Sequence, residues 1–285
     1  MHKVRVIIFG VLFVACAGFI SAPAWAQKKP ELTVSFLDVG QGDAIYIQAP
    51  NGRQMIIDGG PAGSLIEPLS LVVPFGDRSI DVLVVTNPDA DHYAGFVDIL
   101  REYSVGAVVE SGTLSQSKTY ALLHTEIQEQ DIPHLFARKG MKITLDSDNG
   151  VVFEVLFPDR DMTGWSNNDS SLVGRLVYGE SEILFTGDST IRTESVILAS
   201  NPVEALASDI LKVGHHGSRT STSSAFLKAV SPDIAIISLG ERNSYGHPHK
   251  EPIATLSNAD VSVLRTDQEG TITYVSDGVS FWRRK

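Results

Sequence analysis

The residues best equipped for chemistry sit where short apolar runs end. The run 82–86 leads into Asn87, Asp89, Asp91 and His92; the run 183–186 leads through Gly187 into Asp188; the run 210–213 leads through Gly214 into His215 and His216. Oxygen and imidazole donors gathered at strand ends suit a catalytic divalent cation, because structural metal sites lean on thiolates. Hydrolysis at neutral pH needs hydroxide, and a divalent cation lowers the pKa of water from 15.7 to about 7. Asp188 offers two oxygens and could bridge two ions. Asp91 and His92 are adjacent, and in a loop after a strand both could turn toward one ion. His215 lies nearest its strand end and is the preferred imidazole there, with His216 as the competing choice. Singly, a Gly-Asp after a strand is usually a turn and an Asp-His pair a solvated loop. The ordered set is what points to metal.

Positioning these groups requires strands, and the pattern supplies them. Segments 32–36, 44–48 and 55–58 read as strands, with Asn51-Gly52 as the hairpin turn between the second and third. The 82–86 run is apolar throughout, as in a strand covered on both faces. Segments 151–157, 172–178, 182–186, 210–213, 234–238, 262–264, 271–275 and 279–282 read as further strands. Helical spacing marks 96–103, 120–130, 193–198 and 224–230. Two sheets with helices outside would bury these runs.

With those elements in place, the strings 36–44, 57–60, 89–92, 167–168, 171–173, 185–188, 211–218, 245–249 and 265–270 resemble, in order, the metallo-β-lactamase superfamily. Within it, the chain is most similar to the soluble domain of ComEC-type competence proteins. The resemblance implies an αββα sandwich with two mixed sheets. It also implies a hydrolase site holding one or two divalent ions, zinc or manganese. Asp89, Asp91, His92, Asp188 and His215 would be ligands, and Asp58 an acid that orients a ligand. The superfamily's first loop usually reads H-x-H-x-D-H; here Asn87 and Asp89 stand at the two leading histidines, and a neutral amide is the poorer ligand, which weakens the first ion position. Asn168 or Asp169 stands where the family has its middle ligand. His247 and His249 are candidates for a ligand or a proton donor to the leaving group, or else plain surface histidines. Ser218, Arg219, Thr220 and Ser221 could bind a phosphate oxygen, or cap a helix. Tyr245 and Trp165 could line a pocket or only pack. His124 and His134 read as structural.

The remaining features bound the class. Residues 1–26 carry His2, Lys3 and Arg5, an apolar run 6–20 and small residues Ala24 and Ala26, which together read as a cleaved secretory signal. The run is shorter than the ~20 residues a spanning helix needs. Cys16 is the only cysteine, so a mature chain beginning at Gln27 has no thiol; lipidation there is the weaker alternative. The expected location is periplasmic or extracellular, with residues 27–285 forming one domain. Losing Lys3 and Arg5 takes the net charge from −11 to −13, which disfavours non-specific nucleic-acid binding. The expected activity is metal-dependent hydrolysis of a phosphodiester, either nucleic acid or a phosphorylcholine-type ester. Lactone or β-lactam hydrolysis is the enzymatic alternative, and a metal-poor, non-catalytic binding domain is the other. Sequence alone leaves the oligomeric state open.

Overall fold

The structure, a computed structural model, describes residues 30–284. The expected signal segment, with Cys16, lies outside the described residues. The chain runs β1 (Leu32–Phe36), β2 (Ala44–Gln48), β3 (Gln54–Gly59), α1 (Ile66–Ser70), β4 (Ser79–Val85), α2 (Ala90–Tyr93), α3 (Phe96–Glu102), β5 (Ser104–Glu110) and α4 (Lys118–Glu129). It continues with β6 (His134–Phe136), β7 (Lys142–Asp146), β8 (Val151–Phe157), β9 (Val173–Tyr178), β10 (Ser181–Phe185), α5 (Ile191–Ser200), β11 (Ile210–Lys212) and α6 (Ser224–Val230). It closes with β12 (Ile234–Ile237), α7 (Lys250–Asn258), β13 (Ser262–Arg265), α8 (Thr266–Glu269), β14 (Ile272–Ser276) and β15 (Phe281–Arg284).

One sheet has the order β15-β14-β1-β2-β3-β4-β5-β6 and the other β13-β12-β11-β10-β9-β8-β7. Both are mixed: β3 to β6 and β10 to β13 are parallel, and the remaining neighbours antiparallel. Side chains alternate across each strand. Val34, Phe36, Ile57, Val84, Phe153, Ile183 and Phe185 therefore meet between the sheets. The opposite faces of β3 and β4, through Ile56, Leu83 and Val85, pack under Phe96, Ile99, Leu100 and Leu123 of α3 and α4. Leu184 and Leu211 face Ile197, Phe226, Leu227 and Leu256 of α5, α6 and α7 on the other outer side. This is the expected αββα sandwich, and double coverage explains the unbroken apolar runs. Asn51-Gly52 turns the β2–β3 hairpin as expected, with Gly52 at φ 89°. No helix among the described residues is long and apolar enough to cross a membrane.

Candidate metal centre

The parallel strands β3 and β4 end beside the ends of β10, β11 and β12, so loops from both sheets converge at one edge. Leu172 N–H donates to the Thr86 carbonyl at 2.8 Å, joining the loop ends. Gly187, at φ 50°, sits so close that a Cβ would lie 2.7 Å from Thr86 Oγ1. That contact brings Asp188 against the β4 loop.

Asp91 and His92 lie on the single turn of α2 rather than in an open loop, which corrects the sequence expectation. The turn tucks His92 inward, fully buried. Its Nδ1–H donates to Asp58 Oδ2 at 2.8 Å, so Nε2 is turned toward Asp188 Oδ2, 3.2 Å away. Asp58 is fixed in turn by Thr86 N–H at 2.8 Å and Thr86 Oγ1–H at 2.6 Å. Such an outer hydrogen bond sets the tautomer that leaves Nε2 free as a donor atom.

His216 is oriented the same way. After β11 the chain makes a tight turn in which His215 (φ 48°, ψ 46°) and His216 (φ 52°, ψ 28°) are both left-handed. Two consecutive non-glycine residues in that region are strained, and strain of this kind clusters at functional sites. The turn drives His216 into the interior, 1% exposed. Its Nδ1–H donates to the Ser238 carbonyl at 2.9 Å, and its Nε2 lies 3.4 Å from Asp91 Oδ2 and 3.5 Å from Asp188 Oδ1. His215, the sequence favourite, is side-chain 23% exposed with Nε2 3.9 Å from Asp188 Oδ2. The left-handed pair turns His216 inward among the carboxylates and leaves His215 on the cleft wall.

The donor set fits a divalent cation. Among the described residues, His92 Nε2, His216 Nε2 and Asp188 Oδ1 are buried without a hydrogen-bond partner, and each lies within 3.5 Å of a neighbouring donor of the set that includes Asp91. Unpartnered buried polar atoms are costly, so three together call for a ligand. Charge says the same. Burial alone would raise Asp188, but the facing His92 and His216 hold it far below the usual carboxylate range. Burial opposes protonation of His216, yet Asp188 and Asp43 push it up to about 10, and Asp188 and Asp58 likewise raise His92. The carboxylates thus demand positive charge, which a divalent ion supplies while releasing imidazole protons.

Two residues behind the cluster were not foreseen. Lys212 is fully buried, and its Nζ donates to Asp43 Oδ2 at 2.6 Å. Asp43 Oδ1 lies 3.4 Å from His216 Nδ1. Burial would raise Asp43, but Lys212 and then His216 bring it below its ordinary value. The signal was present: a lysine inside the otherwise apolar 210–213 run needs a buried anion. Gly42 lets this loop close on α2, since a Cβ there would lie 2.3 Å from the Asp91 carbonyl oxygen.

An open cleft of about 770 Å³ exposes the cluster, its lining including Asp89, Asp91, Asp188, His215, His216, His247, Asn168 and Tyr245. Asp89 Oδ1 accepts from Asn167 Nδ2 at 2.6 Å. Asn87 is fully buried; its amide donates to Asn168 Oδ1 at 2.9 Å and Ser171 Oγ at 3.2 Å, and accepts from Asp89 N–H at 2.9 Å. Asn87 therefore pins the loop instead of facing the ion. Asn168 Nδ2 lies 3.3 Å from His215 Nε2. Burial, then the neighbouring His216 and His215, hold His247 down to about 4, so its imidazole is neutral at neutral pH. Tyr245 is exposed and stacks on His247 with ring centroids 5.6 Å apart. His249 is spent on structure: its Nδ1 accepts from Arg219 N–H at 3.1 Å. Ser218, expected at the substrate, is buried with Oγ 3.0 Å from Thr220 Oγ1, so the turn itself uses that hydroxyl. Arg219 is exposed and lines, with Arg192, a groove adjoining the cleft at His215.

The chain is 32% identical over 259 residues to ComE operon protein 3 of Bacillus subtilis (strain 168), covering 85% of this chain and 32% of that protein. It is 30% identical over 262 residues to Competence protein ComA of Neisseria gonorrhoeae, covering 90% and 34%. The chain thus spans about a third of the length of the curated relatives it matches. Among solved structures, the metallo-beta-lactamase fold protein YhfI from Bacillus subtilis superposes with TM-score 0.58 at 10% identity, covering 87% of this chain and 100% of that one. Igni18, a metallo hydrolase from Ignicoccus hospitalis, gives 0.53 at 11% identity, covering 85% and 98%. Those likenesses speak to fold; membership rests on the family model, which matches residues 37–241, and by it the chain belongs to the metallo-beta-lactamase superfamily.

Proposed function

We propose that this chain is an exported, metal-dependent phosphodiesterase whose ion is held by Asp91, His92, Asp188 and His216. The observation that carries it is the convergence, among the described residues, of unpartnered His92 Nε2, His216 Nε2 and Asp188 Oδ1, with Asp188 and His216 lining an open cleft and His92 buried behind them. When bound, a divalent ion supplies Lewis acidity toward a phosphoryl oxygen and an acidified water. The protein's own part is orientation. Asp58 and the Ser238 carbonyl fix the two imidazoles, and the Lys212–Asp43 pair fixes the charge behind His216. His247, held neutral, can accept a proton at the cleft. Asp89, His215 and Asn168 are the donors left for a second ion, a position weakened because Asn87 is committed to the loop.

Substrate class follows from the surroundings. Arg219 and Arg192 border the groove next to the cleft, and guanidinium groups suit phosphate oxygens. Recognition of a choline headgroup favours an aromatic cage. Among the described residues, Tyr245 is the one aromatic side chain besides histidine lining this cleft, and the Arg192 guanidinium covers Trp165, 3.9 Å from its ring centre. A nucleic-acid phosphodiester is therefore favoured over a phosphorylcholine ester. The test is hydrolysis of bis-p-nitrophenyl phosphate, single-stranded DNA, a phosphorylcholine ester and a lactone by metal-stripped protein reloaded with zinc or manganese. Cleavage of the phosphodiesters by the reloaded form alone is expected. Turnover of the lactone alone would overturn the assignment.

A further inference from the structure

We propose that Glu110, His124 and His134 form a second divalent-cation site, distinct from the cleft centre and suited to zinc. None of the three lines the cleft. Glu110 ends β5, His134 opens the edge strand β6, and His124 lies on α4, so three elements bring their donors together. One donor atom from each lies within 4.8 Å of the others. Glu110 is 1% exposed. Both imidazoles aim Nε2 at the same oxygen, Glu110 Oε2, at 2.7 Å for His134 and 3.1 Å for His124. The Tyr120 hydroxyl approaches it at 3.4 Å.

Simple charge neutralisation would spread these partners over both carboxylate oxygens. Here, among the described residues, Glu110 Oε1 is buried with no hydrogen-bond partner, and His124 Nε2 lacks an aligned hydrogen bond. The two rings stand at 88° with centroids 5.1 Å apart, so they approach from different directions, as ligands around one ion do. A cation between them would take both Nε2 atoms and a Glu110 oxygen. Access exists: both histidines, about one-quarter exposed, border an open cavity of about 300 Å³ together with Gln128 and Asp131. Three protein ligands beside open solvent leave a position for water. Two imidazoles and one carboxylate suit zinc, nickel or copper, and not magnesium or calcium. A bound ion would clip α4 to the sheet's edge strand.

The test uses the full chain, stripped of metal, then equilibrated with zinc and counted by elemental analysis after gel filtration. Cobalt(II) absorption in the visible region reports coordination in parallel. Asp188→Ala/His216→Ala, which removes cleft donors, should still bind one zinc per chain. Adding His124→Gln/His134→Gln should remove that ion and its cobalt band. In otherwise unmodified protein, His124→Gln/His134→Gln should lower bound zinc by one per chain, which decides the matter should the cleft variant fail to fold. Unchanged zinc in the folded His124→Gln/His134→Gln protein, or no zinc in a folded Asp188→Ala/His216→Ala protein, would overturn the site. Because the cleft donors and these donors are varied separately, loss of one assignment leaves the other readable.

Discussion

Asp58 touches no proposed metal position, yet its replacement should weaken metal binding by a calculable amount. Its carboxylate accepts three hydrogen bonds, from Thr86 N–H, Thr86 Oγ1–H and His92 Nδ1–H, all between 2.6 and 2.8 Å and all buried. Asp58→Ala would strand those donors at about 1–3 kcal/mol each, a loss large enough to unfold a marginal domain. Asp58→Asn is the informative change. Its oxygen can still accept from Thr86 N–H, but its amide N–H₂ then faces both Thr86 Oγ1, which can turn to accept, and His92 Nδ1. That favours the tautomer with the proton on Nε2, where the ion would bind. Loss of such an outer partner typically costs about 10- to 100-fold in metal affinity, or roughly 1.4–2.7 kcal/mol. Competition for zinc against a chromophoric chelator measures this, with thermal unfolding in excess chelator to confirm the fold. A folded Asp58→Asn protein with unchanged zinc affinity would refute the claim that Asp58 sets the His92 tautomer.

His216→Ala should abolish tight zinc binding at the cleft, whereas His215→Ala should lower affinity less, because only His216 is buried among the carboxylates; elemental analysis of both would show the order reversed if the turn were misread. In metal-free protein, the Glu110 carboxylate, with Oε2 3.1 Å from His124 Nε2, raises that imidazole above its ordinary value. A raised histidine stabilises fully below its unfolded value and loses that contribution as pH rises through the folded one. His124→Gln should therefore lower the melting temperature more at pH 6 than at pH 9, and an equal loss at both would contradict the pairing. N-terminal sequencing of exported protein should begin at Gln27; a mature chain retaining residues 6–20 would reject export by cleavage.

The sandwich was legible because strands covered on both faces leave continuous apolar runs, as at β4 and β10, and because each run stopped at its polar donor. What escaped was local geometry. β5 was missed since Gly106 interrupts its apolar pattern; that glycine is required where a Cβ would lie 2.6 Å from the Asp81 carbonyl oxygen. With β5 and the three-residue β6 unread, Glu110 and His134 could not be seen to meet His124, and the two histidines read as structural. His215 and His216 could not be ranked from spacing, because their left-handed backbone contradicts ordinary side-chain preference. Asp43 and Lys212 lie 169 positions apart, a separation across which no local pattern operates.

Asp91, His92, Asp188 and His216 are proposed to hold the hydrolytic ion. Anomalous diffraction at the zinc edge from zinc-loaded crystals tests this placement most directly. The predicted result is a peak about 2.0–2.2 Å from His92 Nε2, His216 Nε2 and oxygens of Asp188 and Asp91. A fully loaded crystal with no peak among those four residues would contradict it.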